Sequence, residues 1–350
     1  MKRRYHVVVI PGDGIGPEVV EAALHAIGPV LDRLELERVE AGLGYYERTG
    51  RPYPEGFLDR LRSADAVLKG PLATPVGPGG YRSINVLIRQ ELDLYANLRP
   101  CRGYPGVSPK VFDLVVVREN TEGLYAGVEG RFRDEAYALK IVTRRGSERI
   151  VRFAFEYAVS RGRRLVTAVH KANILKVADG LFLEVFREVA RRYEGRVEAG
   201  ELIVDAAAYN MARSPEKLDV IVTMNLYGDI LSDLAAGVAG SLGLCGSGQY
   251  GESAAVFEPV HGAGFDIAGK GVANPVAAIH AARLMLEYLG HRYGDEQLAA
   301  AAQLLDKAVE EALTVDRALT PDLGGDRGTM DVAEAVRRRF EALLSEGLAA

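Results

Sequence analysis

Tryptophan is absent from this chain, and cysteine occurs only twice, at Cys101 and Cys245. Two cysteines so far apart make neither a disulfide framework nor a Cys-x-x-Cys metal site, and they suit a reducing cytoplasm. Long apolar runs are missing too. None approaches the roughly 18–20 residues that a membrane helix needs. The opening MKRRYHVVVIPGDG sets basic residues before an apolar run. That run meets a Pro-Gly turn too soon for a signal peptide. Neither sign of charge dominates: the net charge is −5 over 350 residues. Such a balance gives no reason to expect nucleic acid or an anionic membrane as a partner. Lysine is scarce beside arginine, and asparagine and glutamine are sparse; a thermophile and a GC-rich genome would each leave that bias. Internal repeats and low-complexity tracts do not occur. Gly-x-Ser-x-Gly, His-Glu-x-x-His and Walker A motifs are absent as well, which removes several hydrolase classes.

The rest is ordinary globular composition, 48% hydrophobic and 26% charged. The chain is long for one core, so two domains are expected. YHVVVI (5–10), ADAVLKG (64–70), FDLVVVREN (112–120), RLVTAVHKAN (164–173) and LDVIVTMN (218–225) read as buried strands. Helical patterns lie at 147–160 and 178–192, and Pro17 is placed to open a helix through about Leu31. This alternation predicts an α/β fold, with ligands where strands end and loops begin. RPCRGYPGVSPK (99–110) and GSGQYGES (246–253) are the candidate crossing points between domains.

PGDGIGPE (11–18) is not a dinucleotide fingerprint, because Pro17 stands where a glycine is required. A tight turn and a ligand-binding turn remain equal readings. In NLYGDILSD (225–233), Asp229 and Asp233 are four apart and share one helix face. Like charges repel there, so both are solvated or a cation sits between them. Carboxylate oxygens suit Mg²⁺ or Mn²⁺. Apolar Ile230, Leu231, Leu234 and Ala235 weaken the solvated reading. Asp205, alone in IVDAAAYN, reads as a helix cap. Lys171, in VHKAN just past a strand, is a surface lysine or, with burial or neighbouring cations, a base. Arg118 and Tyr125 stand in the same relation to the strand before them. EPVHGAGFDIAGKGVANP (258–275) is a long glycine-rich loop containing Val260, Phe265 and Ile267, residues of the buried type. Asn274-Pro275 reads as the N-cap and first residue of the following helix. In YRSINVLIRQELDLYANLRP (81–100), Ile84, Leu87, Ile88 and Leu92 follow helical spacing from Ser83 to about Leu94, and an extended run follows. Ser83, Asn85, Arg89 and Arg99 are polar groups set among them. Three arginines, a tyrosine, a lysine and three aspartates together suit a small polycarboxylic hydroxy acid, whose carboxylates guanidiniums clamp in pairs of hydrogen bonds.

RQELDLYANLRP, RENTEG-Y, HKAN, NLYGDILSD and EPVHG…DIAGK…NP, in that order, resemble the isocitrate/3-isopropylmalate dehydrogenase family, the metal-dependent β-decarboxylating dehydrogenases. The likeness runs from PGDGIGPE to LTPDLGG (319–325). It implies a two-domain α/β fold that is not a Rossmann fold. Residues 1–100 with 246–350 would form a large cofactor-binding domain. Residues 101–245 would form a small domain with the dimer contact and the metal aspartates. Arg89, Arg99 and Arg118 would clamp carboxylates. Asp229 and Asp233 of one subunit, with Asp205 of the other, would hold Mg²⁺ or Mn²⁺. Tyr125, with Lys171 of the partner subunit, would serve the proton transfers, and Asn173 would sit beside that lysine. The resemblance thus implies a homodimer with shared active sites and leaves a higher oligomer open.

Asp266 and Ile267 occupy places where NADP-using members resemble Lys-Tyr, which implies NAD as cofactor. His261, Gly262 and Asn274 would surround the adenine, with Thr74 also assigned to the cofactor. Ser83 and Asn85 give the Ser-x-Asn-x-x-x-Arg pattern of isocitrate dehydrogenases, where isopropylmalate members show an apolar pair. VHGAGFDIAGK and ALTPDLGG look instead like archaeal isopropylmalate and homoisocitrate relatives. The expectation is a cytoplasmic, NAD-dependent isocitrate dehydrogenase. Homoisocitrate and 3-isopropylmalate are rival substrates, and a regulatory subunit of a hetero-oligomer is the non-enzyme alternative. Homoisocitrate, with its extra methylene, would need room from the glycine-rich loop 77–80.

Overall fold

The structure, a computed structural model, describes residues 3–75 and 80–349. The loop 77–80, from which slack is expected, lies outside the described residues except for Gly80. The strands are β1 (Tyr5–Ile10), β2 (Leu34–Arg38), β3 (Ala66–Lys69), β4 (Ala96–Gly103), β5 (Phe112–Glu119), β6 (Glu129–Phe132), β7 (Glu135–Ala138), β8 (Leu165–His170), β9 (Glu198–Ile203), β10 (Val220–Thr223), β11 (Gly246–Tyr250) and β12 (Ala255–Pro259). The helices are α1 (Gly16–Ala26), α2 (Leu43–Thr49), α3 (Phe57–Ser63), α4 (Ile84–Glu91), α5 (Arg144–Ser160), α6 (Ala178–Ala190), α7 (Val204–Arg213), α8 (Asn225–Ala239), α9 (Val276–Tyr293), α10 (Glu296–Thr314) and α11 (Thr329–Ala349).

Ten strands form one sheet in the order β2-β1-β3-β12-β11-β4-β5-β10-β8-β9. Both flanks pair in parallel, which requires helical crossovers and buries apolar runs such as VVVI of β1 and VIVT of β10. The middle is different: β12, β11, β4 and β5 pair antiparallel. The candidate crossing point 99–110 begins inside the central strand β4, and 246–253 contains the central strand β11; the two strands pair with each other at Asn97↔Gln249. Cys101 on β4 and Cys245 just before β11 are buried free thiols with their sulfurs 3.1 Å apart. The hairpin β6–β7 stands apart from the sheet as a two-stranded ribbon.

One apolar core follows the sheet across both flanks, and a smaller one lies under α4 against β1 and β3. In α4, Ile84 and Ile88 are buried there and fix the helix orientation; Leu87, expected with them, is half-exposed. Ser83 caps α4, its Oγ accepting the Val86 N–H at 3.4 Å. The first helix stops at Ala26 rather than near Leu31. Pro29 supplies no N–H and disfavours helix before it, so residues 28–33 form a 3-10 turn instead. Pro275, not Asn274, is the N-cap of α9, and the helix begins at Val276, one residue later than expected; Asn274 stands just outside, its Oδ1 accepting the Val276 N–H at 3.1 Å.

Candidate active site

The PGDG turn is a brace. Asp13 accepts the backbone N–H groups of Leu43, Gly44 and Ala73 at 2.8–3.0 Å. Gly14 has φ +60°, and a Cβ there would lie 1.9 Å from the Ala263 carbonyl oxygen. Glycine is therefore needed where this turn joins the loop after β3 to the loop after β12.

The amino-terminal half of β4, the carboxyl end of its antiparallel neighbour β5, helix α4 and the first turns of α8 converge on one charged cluster. Arg118, fully buried at the end of β5, pairs with Asp229 and donates Nε and Nη2 to Asn225 Oδ1 at 2.9 and 2.7 Å. Arg99 Nη1 lies 3.2 Å from Asp229 Oδ1, 3.6 Å from Asp233 Oδ1 and 2.7 Å from Ser232 Oγ. Tyr125 donates its hydroxyl to Asp229 Oδ2 at 2.6 Å, and its ring lies 5.0 Å from the Arg118 guanidinium carbon. Gly228 lets α8 come this close: a Cβ there would meet Arg118 Cβ and Cγ at 2.7 Å.

The electrostatics follow from this packing. Burial raises the Asp229 carboxyl, but Arg118, Arg99 and the Tyr125 hydroxyl outweigh it and hold the group below its usual range. Burial raises Asp233, and its cation partner at 3.6 Å is too distant to undo the shift. Burial, with the hydrogen bond to Asp229, pushes the Tyr125 phenol up and keeps it protonated. Burial and the nearby Arg99 and Arg89 press Arg118 the other way, against Asp229.

Arg89 is buried on α4 and donates Nε to Gln249 Oε1 at 2.8 Å. Ser83 and Tyr125 line one cavity of about 800 Å³ with Tyr53, Tyr81, Val86 and Leu87. Asn85 faces inward: its Nδ2 reaches the Leu72 carbonyl at 3.3 Å, and its buried Oδ1 has no partner.

Lys171 and Asp205 form a separate pair. They contact each other directly, and Asp205 is exposed in the first turn of α7, not at its N-cap, which is Ile203. The Lys171 ammonium draws the Asp205 carboxyl below its usual range. Within one chain Asp205 does not join Asp229 and Asp233; no three acidic, histidine or cysteine side chains form a metal-holding group among the described residues. Asn173 is exposed in the following loop.

The expected cofactor residues lie on or beside the braced loops. Thr74, Gly262 and Asp266 are exposed. Ile267 is half-buried against the main core, whereas Phe265, read as a buried type, is 57% exposed. Burial lowers the His261 imidazole, and its buried Nε2 has no partner. Asn274 is turned inward and donates to Asp322 at 3.0 Å.

Sequence reasoning passed over Asn225, Ser232 and Gln249, which orient the three arginines, and over Lys69 and Glu258. Lys69 could have been noticed as a lone charge at the end of an apolar strand.

The protein is of the class of β-decarboxylating hydroxy-acid dehydrogenases. Residues 6–336 match the family described as isocitrate/isopropylmalate dehydrogenase, and the chain belongs to that family. It is 46% identical to the isocitrate/homoisocitrate dehydrogenase of Thermus thermophilus, covering 97% of this chain and 99% of that one. It is 45% identical to the 3-isopropylmalate dehydrogenase of Archaeoglobus fulgidus, covering 94% and 98%. The crystal structure of isocitrate dehydrogenase from Methylococcus capsulatus superposes with a TM-score of 0.90 at 47% identity, covering 96% and 99%. No described helix is long and apolar enough to cross a membrane.

Proposed function

We propose that this chain oxidatively decarboxylates isocitrate to 2-oxoglutarate and CO₂ with NAD, as a homodimer whose two sites are shared. The observation that carries the substrate is Ser83. Its Oγ accepts the Val86 N–H, so its hydroxyl proton is free to donate, and it lines the same cavity as Tyr125. A third carboxylate satisfies that proton; an isopropyl group would leave it unpaired.

Residues 101–245 form the smaller unit in this reading, and residues 1–100 with 246–350 the larger, with the cleft between them. Arg89, Arg99 and Arg118 bind the carboxylates the three candidate acids share. Asp229 and Asp233 hold a divalent cation with Asp205 of the partner subunit. The donor set is all carboxylate oxygen, which fits Mg²⁺ or Mn²⁺. Asp233 is exposed with Arg99 no nearer than 3.6 Å, and exposed Asp205 can reach across an interface. When bound, such an ion supplies the positive charge that acidifies the substrate hydroxyl and stabilises the enolate. Lys171 of the partner subunit, with Asn173 beside it, would accept the hydroxyl proton of the acid, and NAD, when bound, would supply the hydride acceptor. After CO₂ leaves, protonated Tyr125 returns a proton to carbon. Exposed apolar side chains surround Lys171 and the β6–β7 ribbon, including Ile174, Val177, Phe132 and Tyr137, as an interface with a second copy requires.

Asp266 supports NAD. It is exposed and has no protein partner among the described residues, so it can accept ribose hydroxyls and would repel a 2′-phosphate. A second reading is favoured by the same cavity. Val86, Leu87 and Leu124 give it an apolar wall, which suits the longer homoisocitrate or the isopropyl group of 3-isopropylmalate.

A panel of the three acids with Mg²⁺ and NAD decides between them. Wild type should show the highest kcat/KM for isocitrate. Ser83→Leu with Asn85→Leu should lower that value and spare or raise it for 3-isopropylmalate. Discrimination by unpaired polar groups reaches the order of 10⁴-fold. A wild type that prefers 3-isopropylmalate sinks the substrate assignment, and no turnover by the chain alone would favour a regulatory subunit.

A further inference from the structure

Lys69 is the least expected charge in the molecule. It ends β3, and its side chain is 1% exposed. Lysine is almost never buried unless paired. Its partner is Glu258 at the end of β12, 8% exposed at the side chain. The other Glu258 oxygen, Oε1, accepts Gln249 Nε2 at 2.6 Å and lies 3.4 Å from Arg89 Nη2. Gln249 Oε1 in turn accepts Arg89 Nε at 2.8 Å and Asn120 Nδ2 at 2.9 Å. The chain of contacts therefore runs from Lys69 through Glu258 and Gln249 to Arg89. Arg89 Nη1 has no protein partner among the described residues.

We infer that Lys69 is a positioning residue: by occupying one oxygen of Glu258 it stops that carboxylate from drawing Arg89 into a two-pronged ion pair, and so leaves the Arg89 guanidinium aimed at substrate. A buried carboxylate with no other counter-ion takes the planar fork of an arginine along both edges. Here Lys69 holds Oε2 and the Gln249 amide shares Oε1, so Arg89 is steered by its Nε and one long contact. The charged and titratable groups facing Glu258 are Lys69 from β3, Arg89 from α4, Arg99 from β4 and His261 from the loop after β12. Burial works against both charges of the pair, raising Glu258 and lowering Lys69; Lys69 and Arg89 keep Glu258 on the ionised side.

The inference rests on Arg89 binding a carboxylate shared by isocitrate, homoisocitrate and 3-isopropylmalate. Its test uses the full-length enzyme with Mg²⁺ and whichever of these acids wild type binds most tightly, by calorimetry and by steady-state kinetics. Lys69→Met should raise KM and Kd for the acid by about 10- to 100-fold, the scale of a misplaced binding group, and move kcat less. Glu258→Gln added to Lys69→Met should recover most of the loss, because the uncompensated carboxylate is gone. Lys69→Arg, which keeps the charge, should lose less than Lys69→Met. A second readout needs no turnover. Lys69 is the strongest influence holding the Glu258 carboxyl down, so without it that carboxyl lies higher than in wild type, with Arg89 and Arg99 still beside it. The stability that a depressed carboxyl adds is present above the unfolded pKa, near 4.3, and is lost as pH falls through the folded value. The melting temperature of Lys69→Met should therefore fall further below wild type at pH 8 than at pH 4, and that of the double variant should not. Wild-type affinity in Lys69→Met, or a double variant no better than the single one, overturns the inference. If wild type binds none of the three acids, the functional reading has failed, and the pH dependence of melting alone decides the role of Lys69.

Discussion

Tyr125→Phe separates chemistry from architecture at this site. The substitution removes one oxygen, the donor at 2.6 Å from Asp229 Oδ2. It keeps the ring that lies 5.0 Å from the Arg118 guanidinium carbon. A hydrogen bond to a charged group is worth about 1.5–3 kcal/mol when buried. The Asp229 side chain is 34% exposed and retains Arg118 and Arg99, so solvent and the arginines absorb part of that loss, leaving about 1 kcal/mol. Stability and substrate affinity should thus barely move. Catalysis should not be spared, because among the described residues Tyr125 is the only phenol that bonds to Asp229; Tyr53 and Tyr81, in the same cavity, do not. A positioned general acid contributes about 10²–10⁴-fold, so kcat should fall at least about 10²-fold. The informative assay is exchange of hydrogen between 2-oxoglutarate and deuterated water at the carbon that loses CO₂, followed by NMR beside NADH formation. Exchange should vanish in Tyr125→Phe while the melting temperature stays close to wild type. A variant that exchanges hydrogen at nearly the wild-type rate refutes the role of Tyr125.

Lys171→Met and Tyr125→Phe chains should each be inactive alone. Mixed one to one, with subunit exchange verified, they should regain about a quarter of wild-type activity, since random pairing makes half the dimers mixed and each has one intact site; no recovery counts against shared sites. Asp266→Lys with Ile267→Tyr should move the kcat/KM ratio from NAD toward NADP, and a wild type already better with NADP removes the charge argument. Gly228→Ala, stabilising by ~1 kcal/mol in an ordinary helix, should instead cost about 1–3 kcal/mol by overpacking against Arg118. The readouts are lower thermal stability and weaker binding of the acid.

The strands β1, β3, β8 and β10, and β5 where it joins the parallel flank, were legible because parallel strands covered on both faces are written as continuous apolar runs. β2 was not: LELER sits at a sheet edge and mixes charge into its pattern. β11 was harder still, since GSGQY has the composition of a turn. Its glycine serves packing instead, for a Cβ on Gly246 would lie 2.6 Å from the backbone of α9. The acidic and basic residues of the site could be read from their motifs. What orients them could not, because Lys69 and Glu258 are 189 residues apart and meet only when β3 and β12 pair. Asp205 shows the same limit at the next level: a single folded chain does not bring it to Asp229.

Cys101 and Cys245 turn the seam of the sheet into a reporter. They are the only thiols in the sequence, and both are buried, one on β4 and one just ahead of β11. A sulfhydryl reagent in solution can reach neither until the antiparallel centre parts. Labelling kinetics under native conditions thus measure the opening free energy of the central strands directly, apart from fraying at the ends of the chain. With tryptophan missing, this chemical handle is a more selective gauge of the interior than intrinsic fluorescence, whose tyrosines are scattered from Tyr5 to Tyr293.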